Sequence, residues 1–214
     1  MKNLIKPLFA LALTTVSLTS CMKDDNVDNT AEYRKQELQI DSLIKAQSIQ
    51  IKAYAESNFD APQQDTIKVP YNYIDNSTER GIWYSIESIP TDTTYEYQIT
   101  NGNSIIFPKA KVKYSVSGLN GDLYIEDAEG STYELGAAGN PNVINAIWRI
   151  AFLPSTIRYN GNNYPVGGLT NKGLKVGSKI QVVTPSYWAF GAQTIGKIPG
   201  NTPLVYEFEV LEIN

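Results

Sequence analysis

Residues 176–213 read VGSKIQVVTPSYWAFGAQTIGKIPGNTPLVYEFEVLEI, and this stretch decides the fold. The segment KIQVVTP, which starts at Lys179, is rich in β-branched residues and ends at a proline, as strands often do. Near the C-terminus, Tyr206 and Phe208 alternate with Glu207 and Glu209. An alternation of period two predicts a strand with one apolar face. The stretch therefore predicts two strands, joined by an aromatic turn and a loop rich in glycine and proline.

Further strands are predicted upstream of this stretch. GIWYSIES (residues 81–88) and AKVKYSVSGLNG (residues 110–121) alternate apolar and polar residues, and YELG (residues 133–136) is a shorter candidate. In the second of these segments Val112, Tyr114 and Val116 share one face. We expect an antiparallel sheet that buries one face.

One short helix interrupts the predicted strands. NPNVINAIWRIAFLP (residues 140–154) offers Asn140 as the N-cap, Pro141 as the first helical residue and Pro154 as the end. Its apolar stripe consists of Val143, Ile144, Ile147, Ile150 and Ala151. A sheet with one central helix belongs to the α+β class.

The order of these segments resembles that of the FKBP-type peptidyl-prolyl cis-trans isomerases. The family pattern has a vGek strand, an aYG turn and an iPpnatLvFdveLl segment. These correspond here to VGSKIQVVTP (residues 176–185), AFG (residues 189–191) and IPGNTPLVYEFEVLEI (residues 198–213). The resemblance starts at about Gly81. It implies an antiparallel sheet half-wrapped around one short helix, and a folding helper that isomerises X-Pro bonds outside the cytoplasm.

The resemblance also implies an apolar proline pocket between the sheet and the helix. The backbone N–H of Ile144 is expected to hold a peptide carbonyl. The partners implied are proline-containing polypeptide segments, and the reaction needs neither a cofactor nor a metal. The matched catalytic positions are Tyr114, Tyr124, Val143, Ile144, Phe190 and Tyr206, and the further binding positions are Ile147, Trp148 and Ile198.

Several positions depart from the family pattern. Ile125 stands in place of an aspartate, and Phe190 lacks the hydroxyl that hydrogen-bonds a peptide carbonyl. Ile147 stands where the family has its floor tryptophan, so Trp148 is expected to point about 100° away from the floor. Residues 155–172 are an insertion. These departures motivate an alternative hypothesis, an FKBP-like binding module with weak or no catalysis. An alternative alignment places residues 164–177 on the family helix, with Leu169 at the floor.

The composition excludes several kinds of chemistry. The chain has 214 residues and no histidine, which removes Ser-His-Asp, Cys-His and histidine-metal sites. Cys21 is the single cysteine, so no disulfide can form within the chain.

The position of Cys21 suggests a bacterial lipoprotein signal. Lys2 and Lys6 precede the apolar residues 7–18, and the run LTSC ends at Cys21, the expected lipidation site. The next residues, MKDDN, resemble a surface-export signal, or they are a charged linker. We expect an outer-membrane lipoprotein of the cell envelope, with surface exposure as one option. A soluble protein with Cys21 buried is the alternative.

Signal cleavage would remove two lysines, which leaves 16 basic and 22 acidic residues and a net charge of −6. This charge gives no basic patch for nucleic acid.

The chain is expected to have four parts: a signal peptide (residues 1–20), a linker (residues 21–30), a helical stalk with a connecting segment (residues 31–78) and an FKBP-like domain (residues 79–214). In the third part, Ile40, Ile44, Ile51 and Tyr54 recur at helical spacing up to about Phe59. We predict a helix that forms either a stalk or a cap on the domain. A dimerising coiled coil is a further alternative.

Overall fold

The computed structural model describes residues 29–88, 90, 95–100, 104–136 and 144–214. The predicted signal peptide, Cys21 and most of the linker lie outside these residues, as do Asn140, Pro141 and Val143. The helices are α1 (Thr30–Asn58) and α2 (Ala146–Phe152), and a 3-10 turn covers Ser186–Trp188. The strands are β1 (Gln63–Gln64), β2 (Trp83–Ser88), β3 (Gln98–Ile99), β4 (Ile105–Ile106), β5 (Lys109–Gly118), β6 (Leu123–Glu134), β7 (Thr156–Tyr159), β8 (Asn162–Pro165), β9 (Lys179–Thr184) and β10 (Leu204–Ile213).

The six strands of the main sheet lie in the order β1-β2-β9-β10-β5-β6, and the paired strands are antiparallel. The register aligns the apolar positions of neighbouring strands. Phe208 lies opposite Tyr114 of β5 and Ile180 of β9, and Tyr206 lies opposite Val116 and Val182. These positions form rows on the inner face, where α2 packs. The α+β class, the antiparallel sheet half-wrapped around one short helix, and the helical segment before it are confirmed.

The expectation of one buried face implied that the outer face of the sheet is solvated. In the structure, part of the outer face is buried. Val183 and Val205 lie next to inward-pointing residues and are buried on the outer face. They pack against Ile51, Ala55 and Phe59 at the C-terminal end of α1. The doubled apolar positions in QVVT and PLVY are the sequence signal of this contact, because strict alternation would put polar residues there.

The sequence hid part of the buried stripe of α1 because two of its members are polar. Ile44 and Ile51 are fully buried, as the spacing predicts. Asp41 and Gln47 complete the stripe and are each 5% exposed. Buried polar groups need hydrogen-bond partners. Both residues have partners outside the helix.

Gln47 links α1 to both ends of the connection between β9 and β10. Its Oε1 accepts hydrogen bonds from the Ser186 backbone N–H at 2.8 Å and from the Ser186 hydroxyl at 3.2 Å. Its Nε2 donates to the Asn201 carbonyl oxygen at 2.8 Å. The helix therefore fixes the aromatic turn and the glycine-rich loop at the same time.

Asp41 joins α1 to the segment before β2. Its carboxylate accepts hydrogen bonds from the Thr78 hydroxyl, from Asn76 Nδ2 at 2.8 Å and from Lys45 Nζ at 2.8 Å. Burial alone would raise the pKa of Asp41, but the hydrogen bonds from Lys45 and Thr78 and the Lys45 charge outweigh it. The pKa of Asp41 is therefore held below its ordinary value of 3.8.

The helix α2 begins later than predicted. Ile144 and Asn145 precede it without being helical, and Asn145 has an extended backbone with φ −115° and ψ −172°. An unbroken helix from Pro141 into α2 is therefore not observed, and Pro141 itself lies outside the described residues. The predicted end is close to the observed one, since Phe152 is the last helical residue and Leu153 is extended.

The insertion at residues 155–172 begins with a hairpin formed by β7 and β8. Its two-residue turn, Asn160–Gly161, has φ angles of 48° and 81°, as a type I′ turn requires. The chain then returns along α2, where the backbone N–H groups of Leu169 and Leu174 donate to the carbonyl oxygens of Ile150 and Phe152 at 3.0 and 2.9 Å. These bonds satisfy carbonyls that the end of a helix leaves unpaired. The alternative alignment is wrong, because residues 164–177 contain no helix.

We expect Gln47→Leu to lower the free energy of unfolding by about 2–3 kcal/mol, because it leaves the Ser186 N–H and the Asn201 carbonyl without their partner. Urea unfolding followed by circular dichroism measures this. The matched control is Gln50→Leu, which makes the same substitution at an exposed position of α1. Equal stability of the two variants would contradict the role assigned to Gln47.

We expect Asp41→Asn to destabilise the chain by about 1–3 kcal/mol at pH 7, because it removes the charge that Lys45 neutralises. The folded-state pKa is depressed, so the contribution of the carboxylate is present above pH 3.8 and is lost as the pH falls through the lower folded value. Urea unfolding at pH 7 and pH 3 should show a smaller difference from wild type at pH 3. The control is Asp75→Asn, at an exposed carboxyl. A difference that is independent of pH would refute this account.

Candidate functional site

An aromatic cluster fills the inner face of the sheet, with Trp148 at its centre. Trp148 is fully buried, and its ring centroid lies 4.8 Å from that of Phe208 and 4.9 Å from that of Tyr114. Tyr133 and Phe152 follow at 5.1 and 5.9 Å. The rings come from α2, β5, β6 and β10, so Trp148 contacts aromatic side chains of the helix and of three strands.

The predicted site residues that the structure describes all belong to this core or pack against it. Tyr124 and Ile144 are half-buried and form its accessible margin. The other six are Tyr114, Ile147, Trp148, Phe190, Ile198 and Tyr206, each of which is 9% exposed or less. The structure therefore brings the eight described residues together, with most of them below the surface.

The offset of Trp148 from the family position suggested that its side chain points away from the floor. This expectation is wrong. Ile147 and Trp148 are both fully buried. This is possible because the sheet packs on one side of α2 and the returning chain after β8 runs along the helix, so five of its seven residues are buried. Two adjacent positions can then face the interior. Trp148 contacts Tyr114 and Phe208, and it forms the floor of the cluster.

Asn145 is a polar member of the site that the sequence analysis missed. It occupies the N-cap position of α2, but its side chain makes no capping hydrogen bond. Instead, Asn145 Nδ2 donates to the hydroxyl oxygen of Tyr206 at 2.9 Å. The sequence held no specific signal for this contact, because an asparagine before a helix is ordinarily interpreted as a cap.

Two residues of the site carry buried polar atoms without hydrogen-bond partners. Asn145 Oδ1 and Trp148 Nε1 are both buried and have no hydrogen-bond partner among the described residues. Burial raises the pKa of Tyr206, while the hydrogen bond from Asn145 acts in the opposite direction. The Tyr206 hydroxyl therefore stays protonated at neutral pH. The floor offers hydrogen-bonding groups whose charge does not change near neutrality.

The aromatic turn holds three rings in different surroundings. Phe190 is 9% exposed and joins the core, whereas Tyr187 is 38% exposed. Trp188 lies 4.7 Å from Tyr187 in an edge-to-face contact, and its Nε1 donates to the Arg80 carbonyl oxygen at 2.9 Å. The Gly191 N–H donates to the Ser186 carbonyl at 2.7 Å and closes the turn. Phe190 is therefore held against the cluster by a turn that is fixed on both sides.

Tyr187 and Trp188 line a separate cavity of about 730 Å³. It lies between α1, residues 67–72 and the side of α2 that carries Ala146 and Ile150. None of the predicted pocket residues lines it. The two outer rings of the turn thus belong to this cavity, and the inner ring belongs to the aromatic cluster.

The described part of the chain has no group of three or more histidine, cysteine, aspartate or glutamate residues placed to hold a metal ion. Within the same residues, no helix is long and apolar enough to cross a membrane.

No protein-family model matches the chain, and no curated protein matches it. Solved structures do match. One is a peptidyl-prolyl cis-trans isomerase from Pseudomonas syringae pv. tomato, with 16% identity and a TM-score of 0.46, over 81% of this chain and 94% of that one. Another is AtFKBP13, with 14% identity and a TM-score of 0.42, over 63% of this chain and 94% of that one.

Proposed function

We propose that this chain is a peptidyl-prolyl cis-trans isomerase of the FKBP type that acts on X-Pro bonds in polypeptides. The observation that carries the proposal is the convergence of the matched positions around α2. Tyr114 and Tyr206 from two strands, Trp148 from the helix and Phe190 from the aromatic turn belong to one apolar cluster, with Tyr124 and Ile144 at its margin. The sequence resemblance assigns five of these positions to a proline pocket, and Trp148 stands one residue after Ile147, the position that it assigns to the pocket floor.

The chemistry suits such a site. Rotation about a peptide bond is slow because the C–N bond has partial double-bond character, with a barrier of about 18–20 kcal/mol. The twisted transition state loses the resonance and the charge separation of the planar amide. An apolar site that excludes water therefore binds the twisted form more tightly than the planar form. The reaction needs no nucleophile, which agrees with a site made of aromatic and aliphatic side chains.

The energy required is modest. Uncatalysed X-Pro isomerisation takes tens to hundreds of seconds. A barrier lowered by about 4 kcal/mol accelerates it roughly a thousandfold. Differential binding by a few apolar contacts and one or two hydrogen bonds is of that size.

The second candidate function is a binding module of the same fold without catalysis. Two observations favour it. Phe190 and Ile125 replace groups with polar functions in the family pattern. Tyr206 and Trp148 are 0% exposed, so the floor is closed in this structure. Such a module would hold a proline-containing segment and release it without accelerating isomerisation.

Exchange NMR on the peptide Ala-Leu-Pro-Phe, with catalytic amounts of the purified full-length chain in mild detergent, tests the two candidates. We expect the rate of cis–trans exchange to increase in proportion to the concentration of the protein. Ile144→Glu should abolish the acceleration, because it puts a charge at the half-buried margin of the apolar site.

The control is Ile49→Glu, the same substitution at a residue of α1 that is 77% exposed, and circular dichroism checks that both variants are folded. Normal turnover in Ile144→Glu would refute the site. A folded wild-type chain that gives no acceleration would favour the binding module.

We also propose that the chain is anchored to the outer membrane by a lipid on Cys21, in a cell envelope where it meets unfolded segments. The support is the segment before Cys21, in which two lysines precede an apolar run and small residues. A Gram-negative host that expresses the chain should incorporate labelled palmitate into it and retain it in the membrane fraction. Cys21→Ser should abolish both. Unlabelled wild-type chain in the soluble fraction would contradict the anchor.

A further inference from the structure

The floor of the proposed site contains an arrangement of polar groups that the family pattern does not supply. In that pattern a tyrosine hydroxyl from the aromatic turn hydrogen-bonds a peptide carbonyl, and Phe190 has none. Position 206, which holds a phenylalanine in the pattern, is a tyrosine here. The chain has thus lost a hydroxyl on the turn and carries one on β10. Both residues belong to the same cluster.

Asn145 orients the hydroxyl of Tyr206. Asn145 Nδ2 donates to the hydroxyl oxygen at 2.9 Å, so the hydroxyl proton has to point elsewhere. Among the described residues, no acceptor receives that proton. The ring centroid of Tyr206 lies 5.6 Å from that of Phe208, on which the ring is stacked, and the side chain is fully buried, so the position of the hydroxyl oxygen is fixed.

Asn145 achieves this at a cost. Its side chain leaves the capping position of α2, and its Oδ1 is buried without a partner. Trp148 Nε1, one helical turn further on, is also buried without a partner. Unpaired buried polar groups are rare in native structures, and each one calls for an explanation, of which a functional role is one. Here one acceptor and two donors are left over at the floor of one site.

A polypeptide backbone offers the complementary set, a carbonyl acceptor and an N–H donor in each ordinary peptide unit. We propose that the side chains of Asn145, Trp148 and Tyr206 bind the backbone beside the isomerising X-Pro bond. The Tyr206 hydroxyl donates to a peptide carbonyl in place of the hydroxyl that Phe190 lacks, Trp148 Nε1 supplies a second donor, and Asn145 Oδ1 accepts a peptide N–H. This inference rests on the proposed function.

The closed floor determines how a peptide reaches these groups. Tyr206 and Trp148 are 0% exposed, whereas Ile144 and Tyr124 are half-buried. A peptide therefore meets the margin first, and the side chains at the margin must move before proline reaches the ring of Trp148. The indole N–H of Trp148 then exchanges an unpaired state for a hydrogen bond, which shifts its proton resonance.

The test uses the full-length chain and the peptide Ala-Leu-Pro-Phe. Tyr206→Phe removes one hydroxyl and keeps the ring, and it should lower kcat/KM about two- to tenfold, the effect of one neutral hydrogen bond. Asn145→Ala should lower kcat/KM at least as much, because it removes the orienting donor and an acceptor. Adding Phe190→Tyr to Tyr206→Phe returns a hydroxyl to the turn and should restore part of the loss. A merely structural role of Tyr206 would show no such rescue.

The matched control is Tyr97→Phe. Tyr97 is 8% exposed, belongs to a different hydrophobic cluster and donates its hydroxyl to the Leu174 carbonyl oxygen at 2.8 Å. Its loss removes an equally buried hydroxyl and should leave kcat/KM unchanged. Unaltered kcat/KM in Tyr206→Phe, or an equal loss in Tyr97→Phe, would overturn the assignment.

A binding measurement keeps the inference testable if the wild-type chain does not catalyse. The indole N–H resonance of Trp148, assigned by its absence in Trp148→Phe, is followed while the peptide is added. A shift that saturates in the wild type and weakens in Tyr206→Phe supports the polar floor even if the proposed catalysis fails. The inference would be overturned if the Trp148 indole resonance did not shift, whether other resonances show saturable peptide binding or no resonance shifts at all.

Discussion

The packing of the Trp148 indole against Tyr114 and Phe208 is the contact on which the rest of the domain depends. The helix α2 has only seven residues, too short to be stable in water on its own. It persists because its apolar residues are buried between the sheet and the returning chain after β8. Trp148 brings together rings from β5, β6 and β10, and the curved sheet closes around it. The aromatic cluster is therefore both the core of the domain and the floor of the proposed site.

This double role constrains both stability and chemistry. A core tolerates few empty spaces, since packing in protein interiors resembles that of organic crystals. A site for proline needs space that a ligand can enter. In this chain the aromatic rings are packed as a core, and accessible surface of the site remains at Tyr124 and Ile144. Asn145 Oδ1 and the Tyr206 hydroxyl are buried beneath that margin.

The strands of the sheet could be predicted from the sequence because each has a clear period of two. The alternation in β10 and β5 correctly predicted which residues lie on the inner face, and the β-branched run that ends at a proline predicted the strand β9. The polar members of the α1 stripe could not be predicted, because Asp41 and Gln47 look like solvent-facing residues until their partners, which are remote in the chain, are known. Asn145 was missed for a similar reason. Its neighbours suggest a helix cap, and its actual partner is 61 positions away.

The expected orientation of Trp148 was wrong for a different physical reason. It treated the helix as having one buried side. The inserted segment after Pro154 covers a second side and turns adjacent positions into interior ones. Helix residues that pack against an insertion are buried outside the usual apolar stripe. Hydrophobic periodicity does not predict their burial, because the insertion itself supplies the surface that covers them.

The closed floor has a thermodynamic consequence. A ligand that binds only an open form has an apparent Kd equal to its intrinsic Kd divided by the fraction of molecules that are open. If about 1% of molecules are open, affinity is weakened roughly a hundredfold. Substitutions at the margin that favour the open form would then tighten binding without touching the ligand. The occupancy of the site would be governed as much by the packing of Ile144 and Tyr124 as by the groups beneath them.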